Sequence, residues 1–212
     1  MSYGAQLPGT IYFPVTFADQ DWKKPDRARY MAALAEHRPR LATVLDWERD
    51  EQLPEVLAWA EEAAQYVEVV ILIPKVLGGV CRLPRRVAGA AVRLGYSVPT
   101  RYGGTELPPW EFAGWPVHLL GGSPHRQMHV AHYLTAVSAD GSYAAKLARK
   151  TAQFWADGTA TYARDRHWPR LIEADGRAWG DGGATADAPY EAFRRSCANI
   201  MAAWRQLAAP PK

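Results

Sequence analysis

Three aspartates each close an apolar run that reads as a buried strand: Asp19 after T-I-Y-F-P-V-T-F-A, Asp46 inside L-A-T-V-L-D-W, and Asp140 after T-A-V-S-A. A carboxylate so placed is partly buried, which is costly unless the group is hydrogen-bonded or used. Two kinds of work suit it. One carboxylate attacks an electrophilic carbon as a nucleophile, while another holds a proton or binds the N–H edge of a heterocycle. A helix N-cap is the alternative use for any one of them, and Asp140 stands just before a helix that begins near Ser142.

Other polar residues recur at the same kind of position, with Gln20 beside Asp19, Lys75 just past V-E-V-V-I-L-I-P, Ser97 in L-G-Y-S-V-P, and His118 in V-H-L-L. Gly121 and Gly122 open G-G-S-P, a turn whose amides precede a helix and which serves either an anion or a plain strand-to-helix connection. His125, His129 and His132 lie at i, i+4 and i+7; the first pair could ligate a metal, but a zinc site wants a third close ligand and no H-E-x-x-H acid is present, so solvated or core histidines are the expectation. Neither a G-x-G-x-x-G turn nor a G-x-x-x-x-G-K-S/T loop occurs. Ser123 and Ser138 lack a nucleophile-elbow motif, and neither cysteine follows a strand end.

The elements that must position these residues alternate. Apolar, β-branched stretches at Thr10–Phe17, Leu41–Glu48, Val67–Val76, Ala91–Thr100, Trp115–Leu120 and Thr135–Ala139 read as six strands. Between them lie helical patterns from Pro25 to His37, from Leu53 to Tyr66, and from Pro124 to Tyr133. A short crossover helix is expected over Arg82–Ala91, with a turn at Pro108–Phe112. Alternation of this kind predicts an α/β fold of parallel strands with right-handed crossovers, either an open doubly wound sheet or a barrel. Polar residues at the ends of nearly all strands favour a TIM-barrel-like (β/α) barrel, incomplete in its last strands, because barrels gather chemistry from several strand ends. A long helix from Ser142 to Trp155, an irregular segment over 157–187 and a C-terminal helix over 190–207 complete one expected domain spanning 1–212, with a short strand near Leu171 and Ile172 as the alternative to an incomplete barrel.

With 212 residues, 48% of them hydrophobic, the chain can bury one substantial core. No stretch reads as a membrane span or leader, so a soluble, cytoplasmic protein with no membrane partner is expected. Cys81 and Cys197 are too far apart and too few for a disulfide framework or a zinc knuckle. A net charge of +3 permits contact with a nucleic-acid backbone without requiring it.

The order of the strand-end motifs resembles the tRNA-guanine transglycosylase superfamily, and within it the small phage and bacterial relatives that exchange guanine in DNA for a 7-deazaguanine. F-A-D-Q at Phe17–Gln20 resembles the early aspartate motif and V-L-D-W at Val44–Trp47 the second. L-G-Y-S-V-P at Leu94–Pro99 is similar to the Gly-Gly-Leu-x-Val-Gly loop, with Tyr96 and Pro99 as departures. V-H-L-L-G-G-S-P at Val117–Pro124 resembles the Leu-Met-Gly-x-Gly-x-Pro strand, and S-A-D-G-S-Y at Ser138–Tyr143 the strand end that carries the nucleophile.

What the resemblance implies is base exchange through a glycosyl-aspartate on Asp140, with Asp19 as the second catalytic residue and proton carrier. It also implies a base, preQ0-like, held by Asp46, Gln20 and the loop residues Gly95, Tyr96, Ser97 and Val98, with Lys75, His118, Gly121 and Gly122 lining the substrate. Neither cofactor nor metal is implied, since two isolated cysteines cannot build the zinc site of the tRNA enzymes. Partners would be DNA with an extruded or single-stranded guanine and a free 7-deazaguanine base, in a bacterial or phage-infected cell, and a homodimer is compatible with this. Trp22, Trp47 and Tyr96 are candidates for stacking on the base, and Arg82, Arg85, Arg86, Arg101 and Arg126 for phosphate contacts. The competing expectations are an N-glycosidase or deoxyribosyltransferase of free nucleosides, a phosphate-binding metabolic barrel, and a non-catalytic DNA-binding accessory protein that retains the barrel.

Overall fold

The computed structural model describes residues 16–101, 103–151, 154–155 and 188–208. Only the end of the expected strand Thr10–Phe17 falls within them. The segment 157–187, including the strand expected near Leu171 and Ile172, lies outside the described residues.

In chain order the elements are β1 (Phe17–Ala18), α1 (Arg27–His37), β2 (Leu41–Trp47), α2 (Leu53–Ala63), β3 (Val69–Pro74), β4 (Arg86–Val87), β5 (Ala90–Ser97), β6 (Val117–Leu120), α3 (Pro124–Ala131), β7 (Ala136–Ala139), α4 (Tyr143–Thr151) and α5 (Ala188–Ala208). The chain forms two compact units: 1–119 with 134–138, and 120–133 with 139–212. No described helix is long and apolar enough to cross a membrane.

In the first unit the strands follow the order β1-β2-β3-β5-β6-β7, and β1, β2, β3 and β5 pair in parallel. The result is an α/β fold on a curled, open parallel sheet, a half-barrel. One ring contact measures the curl. Phe17 of β1 stacks on His118 of β6 with centroids 4.9 Å apart, although β2, β3 and β5 lie between them. In a flat sheet those strands would be about 19 Å apart, so the side bearing Phe17 and His118 is concave.

Register assigns the other residues of that side, because paired residues of a ladder point the same way. Phe17 pairs with Leu41, Leu41 with Val69, Thr43 with Ile71, Asp46 with Ile73, and Ile71 with Arg93. Between the Thr43 and Asp46 pairs β2 has two residues, Val44 and Leu45, where β3 has only Leu72, so β2 carries a bulge. Without the extra residue Thr43 and Asp46 would face opposite ways, and with it both face the concave side. The other side carries Ala18, Ala42, Val70, Leu72, Val92 and Leu94, all buried, as expected where crossover helices cover a parallel sheet.

Local chemistry sets the helices. Asp26 caps α1 by accepting the Arg29 N–H at 3.0 Å, and Tyr30, Met31 and Leu34 make its buried stripe. Pro54 sits in the first turn of α2, whose Val56, Trp59, Ala60 and Ala63 are buried, and α2 packs on β2 and β3.

The crossover helix expected over Arg82–Ala91 is instead a hairpin. Arg86 and Val87 pair antiparallel with Ala91 and Ala90, which leaves Ala88 and Gly89 as a two-residue loop with φ of 44° and 91°. Two consecutive residues at positive φ make the turn whose twist matches that of flanking strands, and helical φ/ψ cannot continue through them. Alanine is strained there, so Ala88→Gly is expected to raise stability by about 0.5–1 kcal/mol in thermal or urea unfolding.

Candidate functional site

At the carboxyl ends of β1, β2 and β3 the first unit carries a linked polar group. The hydroxyl of Thr43, fully buried on the concave side, donates to Asp19 Oδ1 at 2.7 Å and accepts the Gln20 N–H at 3.0 Å. Thr43 thereby fixes the strand exit that carries Asp19. Gln20 is 4% exposed, and its Oε1 is buried with no hydrogen-bond partner among the described residues.

One turn of strand further on, Asp46 Oδ2 meets Lys75 Nζ at 2.6 Å, and the same ammonium reaches Glu48 Oε1 at 2.9 Å. The geometry follows from register: Ile73 pairs with Asp46, and Lys75 lies two residues beyond Ile73 on the same side. Burial pushes the Asp46 carboxyl above its ordinary value, and Lys75 only partly offsets this. Burial pulls Lys75 down, but hydrogen bonds to Asp46 and Glu48 more than compensate and hold it above its ordinary value. Lys75 therefore keeps its proton and its charge, and Asp46 is the member of the pair that can take up a proton as pH falls below neutral.

A third cluster joins β5, β6 and β7. His118 Nδ1 lies 2.8 Å from Ser138 Oγ, which accepts an Arg93 N–H at 2.9 Å. His118 is 2% exposed.

Of the loop residues expected near a base, Gly95, Tyr96 and Val98 are buried and Ser97 half-buried. Tyr96 packs edge-on against Phe112 with centroids 5.2 Å apart, and burial raises its phenol. The Ser97 carbonyl accepts the Thr105 N–H at 2.9 Å, turning the chain back over the strand end. Trp47 is buried with Arg82 over its ring, whereas Trp22 is 63% exposed. Among the arginines, Arg82 pairs with Asp50 at 2.6 Å, Arg85 donates to the Gly114 carbonyl at 2.8 Å over the face of Trp115, and Arg86 donates to the Gly89 carbonyl.

In the second unit the site is built on Asp140, the residue after β7. Its Oδ1 accepts the Gly121 N–H at 3.2 Å. Gln127, buried on α3, donates to the Gly121 carbonyl at 2.7 Å and to the Asp140 carbonyl. Gly121 and Gly122 have φ of 65° and 78°, a conformation that costs other residues about 1–2 kcal/mol each. The Gly-Gly turn thus presents an amide to the Asp140 carboxylate, and Gln127 clamps both backbones. Gly141 sits 3.4 Å from Gln127 Nε2, measured from where a Cβ would be.

The helix histidines go separate ways. His125 Nε2 accepts from Trp155 Nε1 at 3.3 Å, and His129 packs edge-on to Tyr133. Among the described residues no three His, Cys, Asp or Glu side chains are grouped to hold a metal ion.

The sequence puts Lys75 at a strand end, but its pairing with Asp46, the roles of Thr43 and Gln127, and the meeting of Arg93 and Ser138 with His118 are visible only in the fold. A buried Thr within an apolar strand was the available signal for Thr43. Partners on neighbouring strands leave none, because the register that joins them is not local.

Fold and site together define an α/β half-barrel protein with carboxylates at the carboxyl ends of its strands. The chain belongs to a family of unknown function (DUF6610), whose model matches residues 8–205. No curated protein and no solved structure matches it.

Proposed function

We propose that this protein exchanges guanine in DNA for a 7-deazaguanine base through a glycosyl-aspartate on Asp140, and that its half-barrel is a reduced (β/α) barrel of the transglycosylase kind. The anchored Asp140 carboxylate carries the reading. It follows a sheet strand, and an amide from a turn of two left-handed glycines aims it, a fixed geometry that a nucleophile needs and a solvated surface acid lacks.

In the first step an Asp140 oxygen bonds to the anomeric carbon as the bond to guanine N9 breaks, and a protonated carboxyl gives the departing base its proton. In the second step the 7-deazaguanine N9 loses its proton to that carboxylate and displaces the aspartate, which restores the enzyme. Asp19 is the proton carrier of this scheme. The raised carboxyl of Asp46 suits a group that reads N–H donors of the base and can itself hold a proton. Gln20 adds a buried acceptor for another N–H.

Incubating a guanine-containing oligonucleotide with radiolabelled 7-deazaguanine base tests the proposal. Label retained in polymer is the expected result. Label-free polymer with turnover of free deoxyguanosine would replace DNA by nucleosides as substrate, and no turnover of either would remove the glycosyl-transfer reading altogether.

A further inference from the structure

The concave face of the half-barrel holds a cation whose charge, among the described residues, no acid answers. Arg93 extends from the middle of β5, paired with Ile71 of β3, and is only partly exposed. Its one hydrogen bond is to the neutral Ser138 hydroxyl at 2.9 Å, and among the described residues no carboxylate lies within ion-pair distance of it. The charge acting on it is of its own sign, from Arg40, which is itself held by Glu68 at 3.0 Å. Burial and that repulsion both lower the guanidinium below its ordinary value. A half-buried guanidinium without a counterion is costly unless an anion joins it.

Donors around Arg93 say which anion. A guanidinium offers several N–H groups in a planar fork, and one is used here. Ser138, on β7, accepts that one, and His118, on β6, lies 2.8 Å from the same hydroxyl. With the imidazole donating from Nδ1 to Ser138 Oγ, the serine proton is released to point at a ligand, beside the remaining guanidinium N–H groups. A planar carboxylate is satisfied by the fork alone. Donors from separate strands, the guanidinium on β5 and the hydroxyl on β7, suit an oxyanion with more than two acceptor oxygens, and arginine is the side chain that recognises phosphate through its fork.

We propose that Arg93, with Ser138 oriented by His118, forms a phosphate-binding site on the concave face of the half-barrel. The site does not depend on the base-exchange reading, since its residues are none of the proposed acid, base or nucleophile. Phosphate can come from free inorganic phosphate or from the monoester of a nucleotide.

Calorimetric titration of the full chain with inorganic phosphate and with deoxyguanosine 5′-monophosphate, at ionic strength matched with chloride, tests the site. The expected result is saturable binding with Kd below about 1 mM, weakened at least about tenfold by Arg93→Gln and less by Arg93→Lys, which keeps charge but loses the fork. Tighter binding of the nucleotide than of inorganic phosphate identifies the monoester as the ligand, and equal binding identifies free phosphate. Absence of saturation with both, or unchanged affinity in Arg93→Gln, overturns the proposal. If circular dichroism shows Arg93→Gln unfolded, Ser138→Ala takes its place, and unchanged phosphate affinity in that variant overturns the proposal equally.

Discussion

Asp140→Asn is expected to lower guanine exchange by about three orders of magnitude or more, equivalent to at least about 4 kcal/mol of transition-state stabilisation, while leaving the melting temperature nearly unchanged. The separation of the two effects follows from the anchor. Asparagine keeps the shape of aspartate and an oxygen that can accept the Gly121 N–H, so the contact at 3.2 Å survives. Gln127 binds the backbone carbonyl of residue 140 and not its side chain, so the clamp on the strand end also survives. What disappears is the nucleophile, since a carboxamide oxygen does not form a stable glycosyl ester. Initial rates of base incorporation, with thermal unfolding of the same preparation, check this. Near-normal exchange by a folded Asp140→Asn protein would take the nucleophile role away from Asp140, and a large fall in melting temperature would show that the residue is mainly a structural anchor.

Much of the fold could be read from residue types because those elements are specified locally. V-V-I-L-I-P is buried along its whole length, as a β-branched run without alternation implies for a central parallel strand. Asp26 before the stripe Tyr30, Met31 and Leu34 is a helix start with its cap. The hairpin at Arg86–Ala91 escaped notice because its turn uses Ala-Gly. Asn or Asp at the first position would have signalled two left-handed residues, and alanine instead reads as a helix former.

Site residues divide along the same line. That Asp19, Asp46 and Asp140 end strands is a local property and was legible. The bulge in β2 was not, since nothing in T-V-L-D distinguishes a regular strand from one with an extra residue. Yet the bulge decides whether Asp46 faces the concave side at all. Aromatic type alone suggested stacking roles for Trp47 and Tyr96, and their burial reflects positions in β2 and β5 that only the sheet defines. Chemistry assembled across strands, such as Lys75 on Asp46 or Ser138 on His118, depends on pairings between residues far apart in sequence.

The pair that register creates also carries the largest expected stability effect. Lys75→Met should cost about 2–3 kcal/mol at neutral pH, below the range for a fully buried pair because the two side chains keep 25% and 18% of their exposure. Methionine preserves most of the apolar stem, so the loss is electrostatic: it leaves Asp46, and beside it Glu48, without the ammonium at 2.6 and 2.9 Å. Its pH dependence follows from the direction of the shifts. Asp46 is already held above the ordinary 3.8 by burial, and removing the lysine that lowers it pushes it further up. A raised carboxyl favours the folded state below its unfolded value, and that contribution is lost as pH rises through the folded value. The variant's deficit is therefore greatest at neutral pH and shrinks as pH falls and Asp46 takes up its proton. Urea unfolding of wild type and Lys75→Met at pH 7 and pH 4 measures both ends. Adding Asp46→Asn to Lys75→Met should recover much of the loss at pH 7, because the uncompensated charge is then gone. An equal deficit at the two pH values, with no recovery in the double variant, would show that the lysine stabilises the strand end by packing and that the charge on Asp46 does not depend on it.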